Sequence, residues 1–383
     1  MNVLIYTLST PRPNSGGISR MTFNIAKELS NNGHKIFYLC FERYETDVII
    51  DNVYYFPVLK NCNALENKHY LKDFILKNQI SFIINQIPLS PDYSDLLYKV
   101  KPNVVRIASV IHNSSLNLVR QYAYSKEYSL KRCGKGLIFN LLCLFPVKQF
   151  LVLMYILKHR KHYKNMESGS DYIVAVSKYN KPDLYRLIGF KSDKVISIDN
   201  FIEVNHEPLP EKENIVLWCG RVETNNKRVD LILDIWSKIC RNHPDWKLVI
   251  LGHVEDHTIL DYAKSLKLIN VEFAGLVKTE DYYKRASIFC HTSISESFGL
   301  VLVEAMNWGC VPMAFDSFPA CKEIIPDNCG YRIKAFDKEM YASKLSHLIK
   351  DPVDRKQFSI SSKVYSERFN SCNSINQWLN IIK

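Results

Sequence analysis

Two glutamates in the second half of the chain, Glu296 and Glu304, have the spacing of a ligand-binding pair. They stand eight positions apart within residues 293–312, S-I-S-E-S-F-G-L-V-L-V-E-A-M-N-W-G-C-V-P. The apolar run between them and the glycine after it predict a helix that begins near Phe298 or Gly299. The two carboxylates then flank a helix N-terminus, whose free backbone N–H groups suit a phosphate. Since carboxylates beside a phosphate can hydrogen-bond sugar hydroxyls, the stretch predicts a site for a phosphorylated sugar.

A second group of candidate residues follows a strand-like run that begins at Ile215. The stretch W-C-G-R-V-E-T-N-N-K-R places Arg221 at the strand end and Lys227 six residues further on. Two cations that converge on one diphosphate make charge-assisted hydrogen bonds and stabilise charge on a leaving group. We therefore interpret Arg221 and Lys227 as diphosphate ligands. Because Arg228 is next to Lys227, the position of the second ligand is open by one residue. A solvated basic turn remains the alternative.

These two stretches resemble a known family. E-S-F-G-L-V-L-V-E-A-M-N-W-G-C-V-P is similar to the E-x7-E segment of retaining nucleotide-sugar glycosyltransferases of family 4, which have the GT-B fold. The resemblance implies that Glu304 holds the ribose hydroxyls and that Glu296 contacts the donor sugar. It also implies that the helix start, at Phe298, Gly299 and Leu300, binds the diphosphate. A buried amphipathic helix with two solvated acids is the alternative.

The first half of the chain carries three further candidates. A short apolar strand, a loop that contains Gly16 and Gly17, a helical repeat of apolar residues and a second strand predict a βαβ unit and a parallel sheet. The resemblance implies that the two glycines lie near the donor phosphates and the acceptor. It also implies that His112, at the end of a later strand-like run, reaches the donor sugar. A plain turn and a structural histidine are the alternatives.

The organisation of the whole chain follows from these elements. At 383 residues the chain is too long for one ordinary core. Strands alternate with helices in both halves, which predicts an α/β fold, and the resemblance implies a GT-B arrangement of two Rossmann-like doubly wound parallel-sheet domains facing a central cleft. We predict an N-terminal acceptor domain over residues 1–203 and a donor domain over residues 204–363. A terminal helix at residues 364–383 then crosses back to the first domain.

Composition and motif content favour an ordinary globular protein over an exported or metal-binding one. Hydrophobic residues make up 47% and charged residues 23%, as in ordinary globular proteins, and the chain opens without a signal peptide. The 11 cysteines include no C-x-x-C pair, so we expect reduced cysteines and a cytoplasmic protein. Without an Asp-x-Asp triplet we expect no metal and no cofactor, with a UDP- or GDP-sugar as the donor substrate.

A basic apolar segment at residues 131–164 suggests a membrane surface. Eight lysines and arginines, and no acidic residue, lie between Tyr128 and Met166 in a chain of net charge +11. An apolar run of 21 residues begins at Leu137, but Pro146 interrupts it, and Lys148 at its middle would cost about 2.5–3.5 kcal/mol inside a membrane. We predict docking on an anionic membrane without crossing. A pair of ordinary core helices is an equal alternative.

The sequence therefore predicts an enzyme that moves a sugar from a nucleotide sugar to an acceptor hydroxyl. The resemblance implies retention, with Glu296 and His112 as catalytic residues and the departing diphosphate as the base. It also implies a lipid-linked or polysaccharide acceptor in bacterial surface polysaccharide synthesis, at the inner face of the cytoplasmic membrane, and no nucleic-acid partner. A GT-B-like sugar-nucleotide epimerase and a non-catalytic membrane-associated sugar-nucleotide-binding protein remain alternatives.

Overall fold

The structure, a computed structural model, describes residues 1–13, 16–43, 50–59, 61–112, 116 and 145–383. It divides into two compact units. Unit 1 comprises Met1–Ser115, Gln149–Phe201 and Ser371–Lys383. Unit 2 comprises Ile202–Asn370 together with Leu116–Lys148, nearly all of which lies outside the described residues. Unit 1 ends at Phe201 before unit 2 begins, whereas the predicted boundary lies at residue 203. The terminal segment that belongs to unit 1 begins at Ser371, whereas the predicted terminal helix begins at residue 364.

Unit 1 is built on a sheet of seven strands in the order β3-β2-β1-β4-β5-β6-β7, and every pairing is parallel. The strands are β1 (Asn2–Ser9), β2 (Lys35–Glu42), β3 (Val53–Tyr55), β4 (Phe82–Asn85), β5 (Arg106–Ile111), β6 (Tyr172–Ala175) and β7 (Val195–Ser197). The strand order reverses between β1 and β4, which makes the carboxyl ends of these strands the expected ligand edge.

Unit 2 repeats the plan with six parallel strands in the order β10-β9-β8-β11-β12-β13. The strands are β8 (Glu213–Cys219), β9 (Lys247–Leu251), β10 (Val271–Gly275), β11 (Ala286–His291), β12 (Val311–Phe315) and β13 (Tyr331–Ile333). Here the order reverses between β8 and β11. Because the central strands are buried on both faces, they are near-continuous apolar runs rather than alternating ones.

Helices connect and cover both sheets. They are α1 (Gly17–Asn31), α2 (Leu65–Lys77), α3 (Pro91–Val100), α4 (Phe145–Gly169), α5 (Lys181–Ile188), α6 (Val229–Ile239), α7 (Thr258–Ser265), α8 (Thr279–Arg285), α9 (Leu300–Asn307), α10 (Cys321–Ile324), α11 (Lys338–Lys350), α12 (Pro352–Ser366) and α13 (Ser371–Ile382). Short 3₁₀ turns lie at Lys178–Asn180, Cys240–Asn242 and Glu367–Phe369. In α1 the predicted apolar repeat buries Met21, Ile25 and Leu29 at four-residue spacing, whereas Ile18 is exposed.

Helix α4 contains the described part of the predicted basic segment, while residues 131–144 lie outside the described residues. Pro146 lies in its first turn, where a missing backbone N–H costs nothing. One face buries Ile156, Tyr163 and Met166 in unit 1. Within the described part of the chain, no helix has the length and apolar character to cross a membrane.

The core of unit 2 holds the elements that carry the candidate site. Helix α6 is amphipathic and buries seven residues, Trp236 among them with no exposed surface. At the other end of the core, the buried Trp218 at the end of β8 donates from Nε1 to Thr292 Oγ1 over 2.9 Å, just after β11. Truncating a buried side chain of this size typically costs about 3–5 kcal/mol. The core therefore fixes the ends of β8 and β11 relative to each other.

Candidate functional site

The candidate residues of unit 2 lie on two loops that leave neighbouring strands. One loop follows β8 and spans residues 220–228, and the other follows β11 and spans residues 292–299. Because β8 and β11 are parallel and hydrogen-bonded, both loops lie at the same edge of the sheet, at its switch point. This is the position at which open α/β sheets bind ligands.

A buried carboxylate shapes the first loop. Glu223 accepts hydrogen bonds from the backbone N–H groups of Asn226, at 3.0 Å, and Lys227, at 2.7 Å, and also from that of Asn225. These bonds satisfy three successive backbone donors and hold the loop in a tight turn. Sequence reasoning missed Glu223, although an acid followed by polar residues between a strand and a helix is a typical capping signal.

The two loops are tied together by backbone and side-chain hydrogen bonds. Asn226 donates from Nδ2 to the Ser295 carbonyl over 3.0 Å, and its own carbonyl accepts from the Ile294 N–H over 2.8 Å. Thr292 Oγ1 donates to the carbonyls of Lys227 and Arg228, at 3.0 and 2.9 Å. The lysine therefore has a fixed backbone position beside the second loop.

A close backbone contact explains one glycine at this edge. Gly252, just after β9, has a φ of +136°, and a Cβ atom there would lie 1.8 Å from the Gly220 carbonyl oxygen. Only glycine permits both the backbone conformation and the approach. The loop after β8 consequently rests directly on the end of β9.

Lys227, Glu296 and His291 form the charged cluster of the site. Lys227 Nζ lies 2.5 Å from Glu296 Oε1, and His291 Nε2 lies 3.5 Å from the same oxygen. The lysine and glutamate side chains are 20% and 18% exposed, whereas the histidine side chain is only 3% exposed. The structure thus pairs two residues that have separate predicted roles, and it adds a histidine that sequence reasoning did not select.

Burial and charge decide the protonation of this cluster. Burial by itself raises the pKa of Glu296, but the Lys227 charge and the neighbouring His291 outweigh it, so this pKa lies well below its usual range. Burial lowers the pKa of His291, against the opposing effect of the Glu296 carboxylate. At neutral pH the cluster is therefore an ammonium, a carboxylate and a neutral imidazole.

The other predicted cations have different partners. Arg221 is exposed and lies 3.7 Å from Glu255, a surface ion pair of little energetic weight. Arg228 is 7% exposed and donates from Nε and Nη2 to Asp230, at 2.9 Å each. Lys227 thus faces Glu296 while Arg228 is held by Asp230, and Arg221 and Lys227 stay the predicted diphosphate ligands.

The predicted helix start is confirmed to within two residues. Gly299 precedes α9 with a φ of +104°, a left-handed conformation that favours glycine. Phe298 is buried and packs edge-on against Phe369 with ring centroids 5.5 Å apart, so it anchors the loop rather than facing solvent. Leu300 is also largely buried, so the predicted contact of this segment with a diphosphate would have to come from its backbone N–H groups.

Glu304 lies in the second turn of α9 and is half-buried. The Tyr283 hydroxyl donates to Glu304 Oε2 over 3.3 Å, and Tyr283 is 2% exposed. The second predicted glutamate therefore contacts a buried residue, which orients its carboxylate.

The predicted residues of unit 1 lie at the carboxyl edge of its sheet. His112 directly follows β5, is 8% exposed, and shares a hydrogen bond between its Nε2 and Gln86 Oε1. Burial lowers the pKa of His112 to about 4, so the ring is neutral at pH 7. Gly16 and Gly17 begin α1, and a Cβ atom at Gly16 would meet no atom of the described residues within 4 Å. The fold therefore does not require glycine at position 16.

Part of the sequence matches a known protein family. Residues 199–364, which contain Arg221, Lys227, Glu296 and Glu304, match the family described as glycosyl transferases group 1. The resemblance to glycosyltransferases is confirmed. Its finer parts, membership of family 4 and retention, stay predictions.

Several curated relatives match the chain over about half of its length. It is 30% identical over 201 residues to an uncharacterized glycosyltransferase of Haemophilus influenzae. The aligned residues cover 50% of this chain and 56% of that protein. It is also 30% identical over 200 residues to the amylovoran biosynthesis glycosyltransferase AmsD of Erwinia amylovora, covering 49% and 55%. The chain therefore spans about half the length of the curated relatives it matches.

Solved structures resemble the whole chain. The apo form of the lipopolysaccharide outer core galactosyltransferase WaaB superposes with a TM-score of 0.72 at 16% identity, covering 100% of this chain and 99% of that one. Sucrose-phosphate synthase from Thermosynechococcus elongatus gives a TM-score of 0.76 at 16% identity, covering 100% and 98%. At such identities the likeness shows the fold alone, and the predicted GT-B fold is confirmed.

Proposed function

We propose that this protein transfers a sugar from a nucleoside-diphosphate sugar to an acceptor hydroxyl, with retention at the anomeric carbon. The observation that carries the proposal is the ion pair between Lys227 and Glu296 near the start of α9, with His291 beside the Glu296 carboxylate. An ammonium, a carboxylate and the N-terminus of a helix supply the charges that a sugar diphosphate needs.

The donor binds by exchange of ion-pair partners. Lys227 and Glu296 form an ion pair in the structure. A diphosphate carries more negative charge than one carboxylate, so it competes for Lys227 and frees Glu296 to accept from sugar hydroxyls. The buried His291 ring lies beside the carboxylate, with its Nε2 3.5 Å from Oε1. The lysine then stabilises the charge that develops on the leaving diphosphate.

Two further residues complete the donor site in this proposal. Arg221 is exposed at the end of β8 and adds a second cation for the diphosphate of a UDP- or GDP-sugar. Glu304, oriented by the Tyr283 hydroxyl, accepts from the ribose hydroxyls. Because Arg221, Lys227 and the start of α9 supply the positive charge, the proposed reaction uses no metal ion and no cofactor.

The chemistry at the sugar follows from this charge distribution. As the diphosphate departs, the anomeric carbon becomes oxocarbenium-like, the acceptor hydroxyl attacks from the same face, and the departing phosphate takes the proton. The contacts that we propose for Gly16, Gly17 and His112 rest on the family resemblance. A neutral His112 suits hydrogen bonding to sugar hydroxyls, since it carries no charge that would compete for the phosphate.

The acceptor that we propose is a lipid-linked or polysaccharide sugar of a bacterial surface polymer. One relative is named as an amylovoran biosynthesis enzyme. Another, 27% identical over 183 residues that cover 47% of this chain and 51% of that protein, is an N-acetylgalactosaminyltransferase of Campylobacter jejuni whose name includes a diphosphate-undecaprenol acceptor. These names support a place in the cytoplasm at the inner face of the membrane.

The exposed face of α4 supports an anionic membrane surface as a partner. Phe150, Leu153 and Leu157 on this face are each at least half exposed, and Lys158, Lys161 and Lys164 follow them with exposed side chains. Apolar side chains beside cations suit the interface of an anionic bilayer, where each cation contributes about 1 kcal/mol.

Flotation with liposomes tests this surface. The native chain should float with anionic vesicles at low salt, and changing Lys158, Lys161 and Lys164 to glutamine should abolish flotation. The matched control changes three exposed lysines of unit 2 to glutamine, namely Lys264, Lys322 and Lys356. Equal recovery of both variants, or recovery with neutral vesicles that is unaffected by salt, would remove the membrane from the proposal.

The main experiment is incubation with a panel of nucleotide sugars, with and without a lipid-linked acceptor. We expect release of nucleoside diphosphate that increases when an acceptor is present, and a product that keeps the anomeric configuration of the donor. Release of an isomerised sugar nucleotide would instead indicate an epimerase. Binding of nucleotide without any turnover would indicate a non-catalytic sugar-nucleotide-binding protein.

A further inference from the structure

His291 is the last residue of β11, and its neighbours hold both its backbone and its ring. Its backbone N–H donates to the Tyr341 hydroxyl over 3.3 Å, and Tyr341 has no exposed surface. The imidazole packs against the ring of Phe318, with the ring centroids 5.5 Å apart. Because the side chain is only 3% exposed, its nitrogens depend on neighbouring groups for hydrogen bonds.

The ring nitrogens of His291 are left over by the fold. Within the residues that the structure describes, neither Nδ1 nor Nε2 has a hydrogen-bond partner. Buried polar groups without a partner are rare in folded proteins, and each one calls for an explanation. Nε2 lies 3.5 Å from Glu296 Oε1, which is longer than an ordinary N–H···O hydrogen bond. The ring therefore faces the carboxylate without bonding to it in this structure.

The chemistry of the two groups decides which ring nitrogen carries the hydrogen. Burial lowers the pKa of His291, so at neutral pH its imidazole has one N–H and one nitrogen without hydrogen. An ionised carboxylate only accepts hydrogen bonds. The nitrogen that faces Glu296 should therefore be the protonated one, which is Nε2. A small shift of the carboxylate away from Lys227 would bring Oε1 within reach of this N–H.

Such a shift follows when Lys227 changes its partner. Lys227 Nζ lies 2.5 Å from the same carboxylate oxygen, and a carboxylate that is 18% exposed is costly to leave without a donor. We propose that His291 is a positioning residue of the donor site, whose Nε2–H takes over Glu296 when a diphosphate draws Lys227 away. The carboxylate then stays where it accepts from sugar hydroxyls. The inference rests on the proposed function, which supplies the diphosphate.

NMR of the histidine ring nitrogens tests the first half of the proposal without any nucleotide. The signal is assigned by its loss in His291→Gln. In the native chain Nε2 should carry the hydrogen and Nδ1 should not. In Lys227→Met, where no lysine competes for Glu296, the Nε2 proton should move downfield as its hydrogen bond shortens. A hydrogen on Nδ1, or an Nε2 proton at the same position in Lys227→Met and the native chain, would overturn the proposal.

Calorimetry with UDP and GDP tests the second half. His291→Leu should weaken the binding of at least one of them by about tenfold or more, because the bound form loses a hydrogen bond to a charged group. In a chain that also carries Glu296→Gln, the same change should alter the affinity by less than about twofold, since no charge is left unpaired. An equal loss in both backgrounds would show that His291 only supports the fold of the site and would overturn the proposal.

Two polar variants identify the nitrogen that acts. His291→Gln places an amide nitrogen near the position of Nε2 and should bind the nucleotide to within about threefold of the native chain, whereas His291→Asn reaches only the position of Nδ1 and should not. The control, His243→Leu, changes another buried histidine of unit 2, whose Nε2 lies 2.8 Å from Ser346 Oγ, and should keep the native affinity. Equal affinities of the glutamine and asparagine variants would overturn the proposal. Absence of UDP and GDP binding in the native chain would instead overturn the proposed function, and the NMR experiment would still decide whether His291 donates to Glu296.

Discussion

The two units place their candidate residues by the same topology but with opposite chemistry. In each, polar side chains follow parallel strands that meet where the strand order reverses. In unit 1 these side chains, including Gln86 and His112, are uncharged, whereas unit 2 presents the Lys227–Glu296 ion pair. The two sheets therefore share the position of these side chains and differ in the charge that the residue types at the strand ends supply.

The sharpest way to break this comparison is to remove the cation of unit 2. Lys227→Met should reduce nucleoside diphosphate release by about 10²–10³-fold, because one preorganised charge on the leaving group is lost. It also leaves the largely buried Glu296 without its cation, so the free energy of unfolding should fall by about 3 kcal/mol. Urea denaturation and a coupled diphosphate assay measure the two effects.

Two further variants separate stability from function at this pair. Adding Glu296→Gln to Lys227→Met should restore most of the stability but none of the donor use. Lys238→Met breaks the exposed pair with Glu339 and should change the free energy of unfolding by less than about 1 kcal/mol. Near-native donor use in Lys227→Met would show that unit 2 does not bind the diphosphate through this residue.

The next largest effect concerns Glu304. Glu304→Gln keeps an oxygen that can accept from the Tyr283 hydroxyl, so the fold should be preserved. Loss of the charged acceptor for the ribose hydroxyls should weaken donor use by about 10–100-fold, corresponding to roughly 1.5–3 kcal/mol for hydrogen bonds to a charged group. Donor KM should rise, and the thermal unfolding midpoint should stay within a few degrees. An unchanged KM would place the ribose elsewhere.

The neutral histidine of unit 1 gives the comparison a pH signature. Since burial lowers the pKa of His112 to about 4, the unfolded chain takes up a proton below pH 6.5 that the folded chain refuses. Stability should therefore fall as the pH falls from 6.5 towards 4. In His112→Asn, the loss of unfolding free energy between pH 7 and pH 4.5 should be smaller by about 2 kcal/mol.

Urea denaturation at a series of pH values measures this difference. His69→Asn changes an exposed histidine of the same unit and serves as the control. If His112→Asn and the native chain lose stability equally between pH 7 and pH 4.5, burial does not lower the pKa of His112, and the ring takes up its proton in the folded chain over the same pH range as in the unfolded chain.

The fold was predictable because its evidence is local. Apolar runs, glycines after helices and the alternation of strands with helices predict the α/β architecture that both units have. The start of α9 was predictable from Gly299 for the same reason. Charge pairing was not, since Lys227 and Glu296 are 69 positions apart and meet only because β8 and β11 are neighbours.

The residues that sequence reasoning missed share one property. Glu223, His291 and Gln86 all lie at or just after strand ends, as His112 does, but their partners come from other segments or from backbone groups. A polar residue at the carboxyl end of a predicted parallel strand was the available signal. It was used for His112 and would have selected His291 and Gln86 as well.

The smallest expected effect distinguishes a binding cation from a surface pair within unit 2. Arg221 is 61% exposed and lies 3.7 Å from Glu255, which is 44% exposed. Solvent screens such a pair, so Arg221→Ala and Glu255→Ala should each change the free energy of unfolding by less than about 1 kcal/mol.

Donor use should separate the two variants. Arg221→Ala should raise donor KM by about tenfold, since a screened cation contributes roughly 1.4 kcal/mol, whereas Glu255→Ala should leave it unchanged or lower it by freeing the arginine. Steady-state kinetics at two salt concentrations check this, because the effect of Arg221→Ala should shrink as ionic strength rises. Equal kinetics in both variants would leave Lys227 and the start of α9 as the whole anion site.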